Sequence, residues 1–141
     1  MAHTYARNFI HCIFSTKERS PSIAAERMRE LHDYLGSIAK SEGFALVAAG
    51  GTRDHIHLLF VLPTTHSLAD AVQKLKGGSS RWMGPAFSWQ EGYGAFSVSP
   101  SQVETVQRYI GNQEQHHRKR SFEEEFTALL RSCGIELPTP R

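Results

Sequence analysis

The chain has 141 residues, with 16 Lys and Arg against 14 Asp and Glu, so its formal net charge is +2 with its 8 histidines neutral. A hydrophobic content of 40% excludes general disorder, and a chain this long buries roughly two-thirds of its unfolded surface, enough for one core and not for two. Near charge balance excludes a protein that coats duplex DNA, so any contact with nucleic acid must be local.

The segment Tyr5 to Ser15, rich in aromatic and β-branched residues, predicts a first strand. A helix follows from about Ile23 to Ser41, with Met28, Leu31, Leu35 and Ile38 on one face and Gly43 as its C-terminal cap. Phe44–Ala49 and His55–Leu62 read as two strands of a hairpin, joined by the turn residues Gly50-Gly51-Thr52-Arg53-Asp54. Ser67 and Asp70 start a second helix with Leu68, Ala71, Val72 and Leu75 on its apolar face, weakened at Gly77-Gly78. Ala95–Ser99 is a fourth strand. Ser99-Pro100-Ser101-Gln102 then opens a third helix that runs to about Lys119. Ser121 and Glu124 restart a short last helix carrying Phe122, Phe126, Leu129 and Leu130.

This β-α-β-β-α-β order predicts an α+β fold of ferredoxin-like, RRM-like type, an antiparallel four-stranded sheet with two helices on one face and further C-terminal helices appended. A single domain is expected over residues 1–141, its last helix and tail beginning near 121. The first residues carry no secretory pattern and no apolar run approaches the roughly 20 residues of a membrane span, so a cytoplasmic protein without a membrane partner is expected. Cys12 and Cys133 offer neither a disulfide framework nor zinc-ribbon spacing.

Two clusters can carry chemistry. In Asp54-His55-Ile56-His57-Leu58, strand alternation points both imidazoles to one face and Ile56 and Leu58 into the core. Such a pair can grip a cation, with Asp54 fixing the tautomers behind it; the alternative is two ordinary polar residues on a solvent-facing strand. On the third helix, Tyr109 and Gln113 are four residues apart and share a face, with His116 nearby. Tyr109 could be a nucleophile and Gln113 a carbonyl ligand, or Tyr109 could simply border the apolar stripe of Val103, Val106 and Ile110. The basic run Arg118 to Arg120 complements the helix dipole or meets phosphate.

The His-hydrophobe-His strand, the segment Trp89-Gln90-Glu91-Gly92-Tyr93-Gly94-Ala95-Phe96-Ser97-Val98-Ser99 and the Tyr109-Ile110-x-Asn112-Gln113-x-x-His116-His117 helix occur in that order, after an opening strand ending Phe14-Ser15-Thr16-Lys17. Together they resemble the single-tyrosine HUH-family transposases of the smallest bacterial insertion sequences and their REP-associated relatives, from about Tyr5 to Gly134. The resemblance implies a metal-dependent enzyme that nicks and rejoins single-stranded DNA near hairpins through a 5′-phosphotyrosine intermediate. It assigns Tyr109 as nucleophile, and His55, His57 and Gln113 as ligands of Mg²⁺ or Mn²⁺, with Asp54 behind them. That ligand set has no carboxylate, which leaves the cation its full charge for the phosphate. Lys17, Arg19, Arg53, Lys74, Lys76, Arg81 and Trp82 are candidate DNA contacts, or else ordinary surface residues. A homodimer, nucleoid-associated when bound to DNA, is expected. The competing readings are a domesticated, non-transposing hairpin DNA- or RNA-binding protein of the same fold and, more weakly, a small-molecule regulatory domain.

Overall fold

The computed structural model of the protein describes residues 3–113 and 120–135. Four strands, β1 (Asn8–Ser15), β2 (Ala45–Thr52), β3 (His55–Leu62) and β4 (Gly94–Val98), form one antiparallel sheet in the order β2-β3-β1-β4. The crossover helix α1 (Met28–Ser41) carries the chain from the central strand β1 to the edge strand β2, and α2 (Leu68–Met83) carries it from the central strand β3 to the other edge strand, β4. This is the expected ferredoxin-like arrangement.

Strand alternation divides the molecule into layers. From one face of the sheet, Cys12, Phe14, Ile56, Leu58 and Phe60 pack with Leu31, Leu35 and Ala39 of α1 and Ala71, Val72 and Leu75 of α2. The other face is covered as well. There Phe9 and Leu59 meet Ile110 of α3 (Val103–Gly111), and Ile13 and Phe96 meet Leu130 of α4 (Phe122–Ser132). The appended helices therefore close the second face of the sheet.

Several local expectations shift. β1 begins at Asn8 rather than Tyr5, where pairing with Leu62 begins. The hairpin turn shrinks to Arg53-Asp54, because Gly50, Gly51 and Thr52 pair with His57, Ile56 and His55. α2 runs unbroken through Gly77-Gly78. A Cβ on Gly78 would lie 2.7 Å from the Ile38 side chain, so the glycine is where α1 and α2 meet most closely. Ser67 caps α2 by accepting from the Asp70 N–H, and Ser121 with Glu124 forms the expected capping box of α4. Ser99 caps nothing; Pro100–Gln102 is a 3₁₀ turn leading into α3. The expected continuation of the third helix to Lys119, with His116, His117 and Arg118, lies outside the described residues. Both cysteines are free, Cys12 buried and Cys133 exposed.

Candidate active site

The site lies in the seam between α3 and α4, over the middle of the sheet. Alternation along β3 puts His55, His57 and Leu59 on the covered face, and both imidazoles are fully buried. This replaces the picture of polar residues on a solvent-facing strand. α3 reaches them by lying directly on β2: a Cβ at Gly50 would sit 2.0 Å from the carbonyl oxygen of Ile110. Only glycine permits that approach. Gly50 pairs with His57, so the contact sets Tyr109, next to Ile110, beside the His57 ring at a centroid separation of 5.7 Å.

Each histidine is held from behind. His55 Nδ1 lies 2.8 Å from Asp54 Oδ1 and 3.0 Å from Thr52 Oγ1, and the Thr52 hydroxyl donates to the same Asp54 oxygen at 3.0 Å. His57 Nδ1 lies 2.9 Å from Nε2 of His11, a buried residue of β1. Burial, then the neighbouring His57, lowers the His11 pKa to about 3, so its ring stays neutral. The nitrogens that face into the seam are thus the two Nε2 atoms. That is the usual arrangement when an imidazole ligand donates its other nitrogen to a partner.

Around those nitrogens stand two more oxygens. Gln113, buried just past the end of α3, places Oε1 at 3.1 Å from His55 Nε2, while its amide donates to the Tyr109 carbonyl at 3.4 Å. Glu125 of α4 places Oε1 at 2.9 Å from His57 Nε2 and 3.9 Å from His55 Nε2. Its Oε2 accepts the hydroxyl of Tyr109. Burial, and then this bond to Glu125, push the Tyr109 phenol well above its usual pKa, so at rest it is protonated.

Adjacent ligands of an octahedral ion with bonds of about 2.1 Å lie about 3 Å apart. The 3.1 Å and 2.9 Å donor spacings match that separation, and His55, His57 and Glu125 offer ligand atoms all within 4.8 Å of one another, a grouping that could hold a metal ion. A glutamate outside the expected set of His55, His57 and Gln113 stands beside the paired imidazoles.

Tyr109, Gln113, His55, His57 and Asp54 therefore converge as one group, whereas the candidate DNA contacts scatter. Lys17, Arg19 and Arg53 are exposed near the end of β3 that starts at His55. There Thr16 binds the Asp54 carbonyl through both its N–H and its hydroxyl, and Arg19 pairs with Glu123 of α4. Lys76 and Trp82 are built into the fold: the ammonium donates to the carbonyls of Gln90 and Gly92 at 2.8 Å each, and the indole is sandwiched between Tyr34 and the Arg27 guanidinium. Lys74 reaches toward Glu42 of the α1 C-cap, and Arg81 is exposed near the end of α2.

Sequence reading missed His11 and Glu125. His11 interrupts an apolar alternation, Phe9-His11-Ile13, on a strand face. Glu125 sits on the same helical stripe as Phe122, Phe126 and Leu129, where a carboxylate should not be. A polar residue on an apolar stripe was the available signal in both cases.

The family model for IS200-like transposases matches residues 4–113. The ISDra2 transposase TnpA of Deinococcus radiodurans is 29% identical over 114 residues, 73% of this chain and 81% of that protein. The transposase for insertion sequence element IS200 of Salmonella typhimurium is 26% identical over 124 residues, 80% of this chain and 81% of its own length. A crystal structure of a candidate transposase from Deinococcus radiodurans superposes with a TM-score of 0.64 at 30% identity, covering 80% of this chain and 95% of the other. A REP-associated tyrosine transposase bound to a REP hairpin shares the fold, with a TM-score of 0.60 over 78% of this chain and 68% of that chain at 13% identity. With a buried His-His pair facing a helical tyrosine and a family match over most of its length, the chain belongs to the IS200-like transposases, enzymes of DNA transposition.

Proposed function

We propose that the protein is a metal-dependent transposase that nicks and rejoins single-stranded DNA beside hairpins, with Tyr109 as its nucleophile. The observation that carries this reading is the convergence, in one buried seam, of the Tyr109 hydroxyl with two inward-facing imidazole nitrogens and the Gln113 carbonyl oxygen. His55, His57 and Gln113 would hold Mg²⁺ or Mn²⁺, with Asp54 and His11 orienting the rings. Two imidazoles suit Mn²⁺ better than the oxygen-preferring Mg²⁺. The bound ion would polarise the scissile phosphate as a Lewis acid.

Tyr109 then forms a bond from its phenolic oxygen to phosphorus, and the bond from phosphorus to the 3′ oxygen breaks. The phenol loses one proton and the departing 3′ oxygen gains one. One phosphodiester is exchanged for another, so the 5′-phosphotyrosine link can be reversed without an external energy source. That is what rejoining requires. The resting phenol is protonated, so its proton must leave as the bond to phosphorus forms.

Lys17, Arg19 and Arg53 supply cations at the same end of the sheet as His55, the local basic surface that a hairpin or single strand needs. The hairpin-bound relative by fold is consistent with that partner. A non-catalytic hairpin binder has no use for a phenol held beside paired imidazoles. Within one chain Tyr109 lies beside His57, and the expected homodimer is part of the same reading.

Cleavage of hairpin-bearing single-stranded oligonucleotides with Mn²⁺ tests the reading. His57→Ala should lose cleavage and metal stimulation together while hairpin binding persists. Metal-stimulated cleavage by that variant would place the site elsewhere.

A further inference from the structure

Glu125 is the one member of the cluster that the proposed chemistry leaves without a task. On α4 it follows two acidic residues, Glu123 and Glu124, that face solvent, yet it is itself buried on the apolar stripe that docks the helix. Fold stability would be better served there by an apolar side chain, since a buried carboxylate is costly unless positive charge faces it. Its two oxygens are also divided between different partners. Oε1 faces both imidazole Nε2 atoms, and Oε2 accepts from the phenol of Tyr109. At 2.9 Å, Oε1 and His57 Nε2 stand too close for two lone pairs, so the contact calls for a shared proton or a shared cation.

We infer that Glu125 is a bridging ligand: Oε1 joins His55, His57 and Gln113 around the divalent cation, while Oε2 holds the Tyr109 hydroxyl beside it. The inference rests on the metal site proposed above and extends it from three protein donors to four. A carboxylate supplies the anionic oxygen that Mn²⁺ and Mg²⁺ favour and that the two imidazoles and the amide do not. Mechanically it makes the docking of α4 part of site assembly. The helix that seals the seam also carries the group that ties nucleophile to ion, so Glu125 is both ligand and positioning residue.

The competing role for the same carboxylate is a stopper, occupying the place of the scissile phosphate with one oxygen toward the ion site and one toward the phenol. The two roles predict opposite responses. Mn²⁺ binding by the full chain can be followed from the free-ion electron paramagnetic resonance signal. Glu125→Gln should weaken binding about 10–100-fold, the loss typical when a metal site is disturbed. Glu125→Asp should recover part of it, and metal-free thermal melting of Glu125→Gln should stay close to wild type because the amide preserves shape and hydrogen bonding.

Unchanged Mn²⁺ affinity in both Glu125 variants, with affinity lost in His57→Ala, would overturn the bridging role and leave the metal site standing. Retained affinity in His57→Ala would overturn the site itself. Faster formation of a DNA adduct by Glu125→Ala than by wild type would identify a stopper and also overturn the bridge.

Discussion

His57 depends for its orientation on His11, a residue on a neighbouring strand. With the His11 ring neutral, its Nε2 can accept from His57 Nδ1 and leave His57 Nε2 facing the proposed ion site. His11→Phe keeps the ring and removes the acceptor. It should weaken Mn²⁺ binding about 10–100-fold while the protein remains folded by circular dichroism; an unchanged affinity would mean the His11 contact is only packing. Residue identity was legible for part of this site. The period of 2 in β3 paired His55 with His57, and the four-residue spacing on α3 paired Tyr109 with Gln113. His11 and Glu125 stand out on apolar stripes, but their contacts with His57 were not legible, because they span 46 and 68 residues of chain. No local period encodes such a contact.

Between elements, the decisive contact is α3 on β2 at Gly50. The glycine reads in sequence as part of a turn, yet it lies in a strand whose far side must admit a helix backbone. Gly50→Ala should force α3 outward and cost about 1–3 kcal/mol in urea unfolding, as overpacking does. DNA cleavage should fall further than stability explains, because Tyr109 and Gln113 move with the helix. Cleavage at the wild-type rate would show that the approach of α3 does not position the nucleophile. Element order and type were legible because hydrophobic periods and caps are local. Ends were less so: β2 extends through Thr52 because pairing with His55, not composition, sets where a strand stops. For the same reason Gly77-Gly78 reads as a weak point while tertiary packing on Ile38 makes it part of a continuous helix.

At the scale of the molecule, two helical layers enclose one sheet, and chemistry gathers where the second layer is divided between α3 and α4. The ferredoxin-like core was predictable from its alternating elements. That the appended helices would bury the histidine face was not, since their apolar stripes do not say which surface they cover. A net charge of +2 agrees with a protein that meets DNA through a few cations near one end of the sheet rather than along a charged face. Among the described residues no helix is long and apolar enough to cross a membrane. In the proposed reaction this seam makes Tyr109 a nucleophile toward DNA phosphorus. Denaturing electrophoresis of the protein mixed with hairpin-bearing single-stranded oligonucleotides and Mn²⁺, followed by peptide mass spectrometry, tests it most directly. A covalent adduct mapped to Tyr109 is expected, absent in Tyr109→Phe although that variant still binds the hairpin. An adduct that persists in Tyr109→Phe, or its absence from wild type across several hairpins, would contradict it.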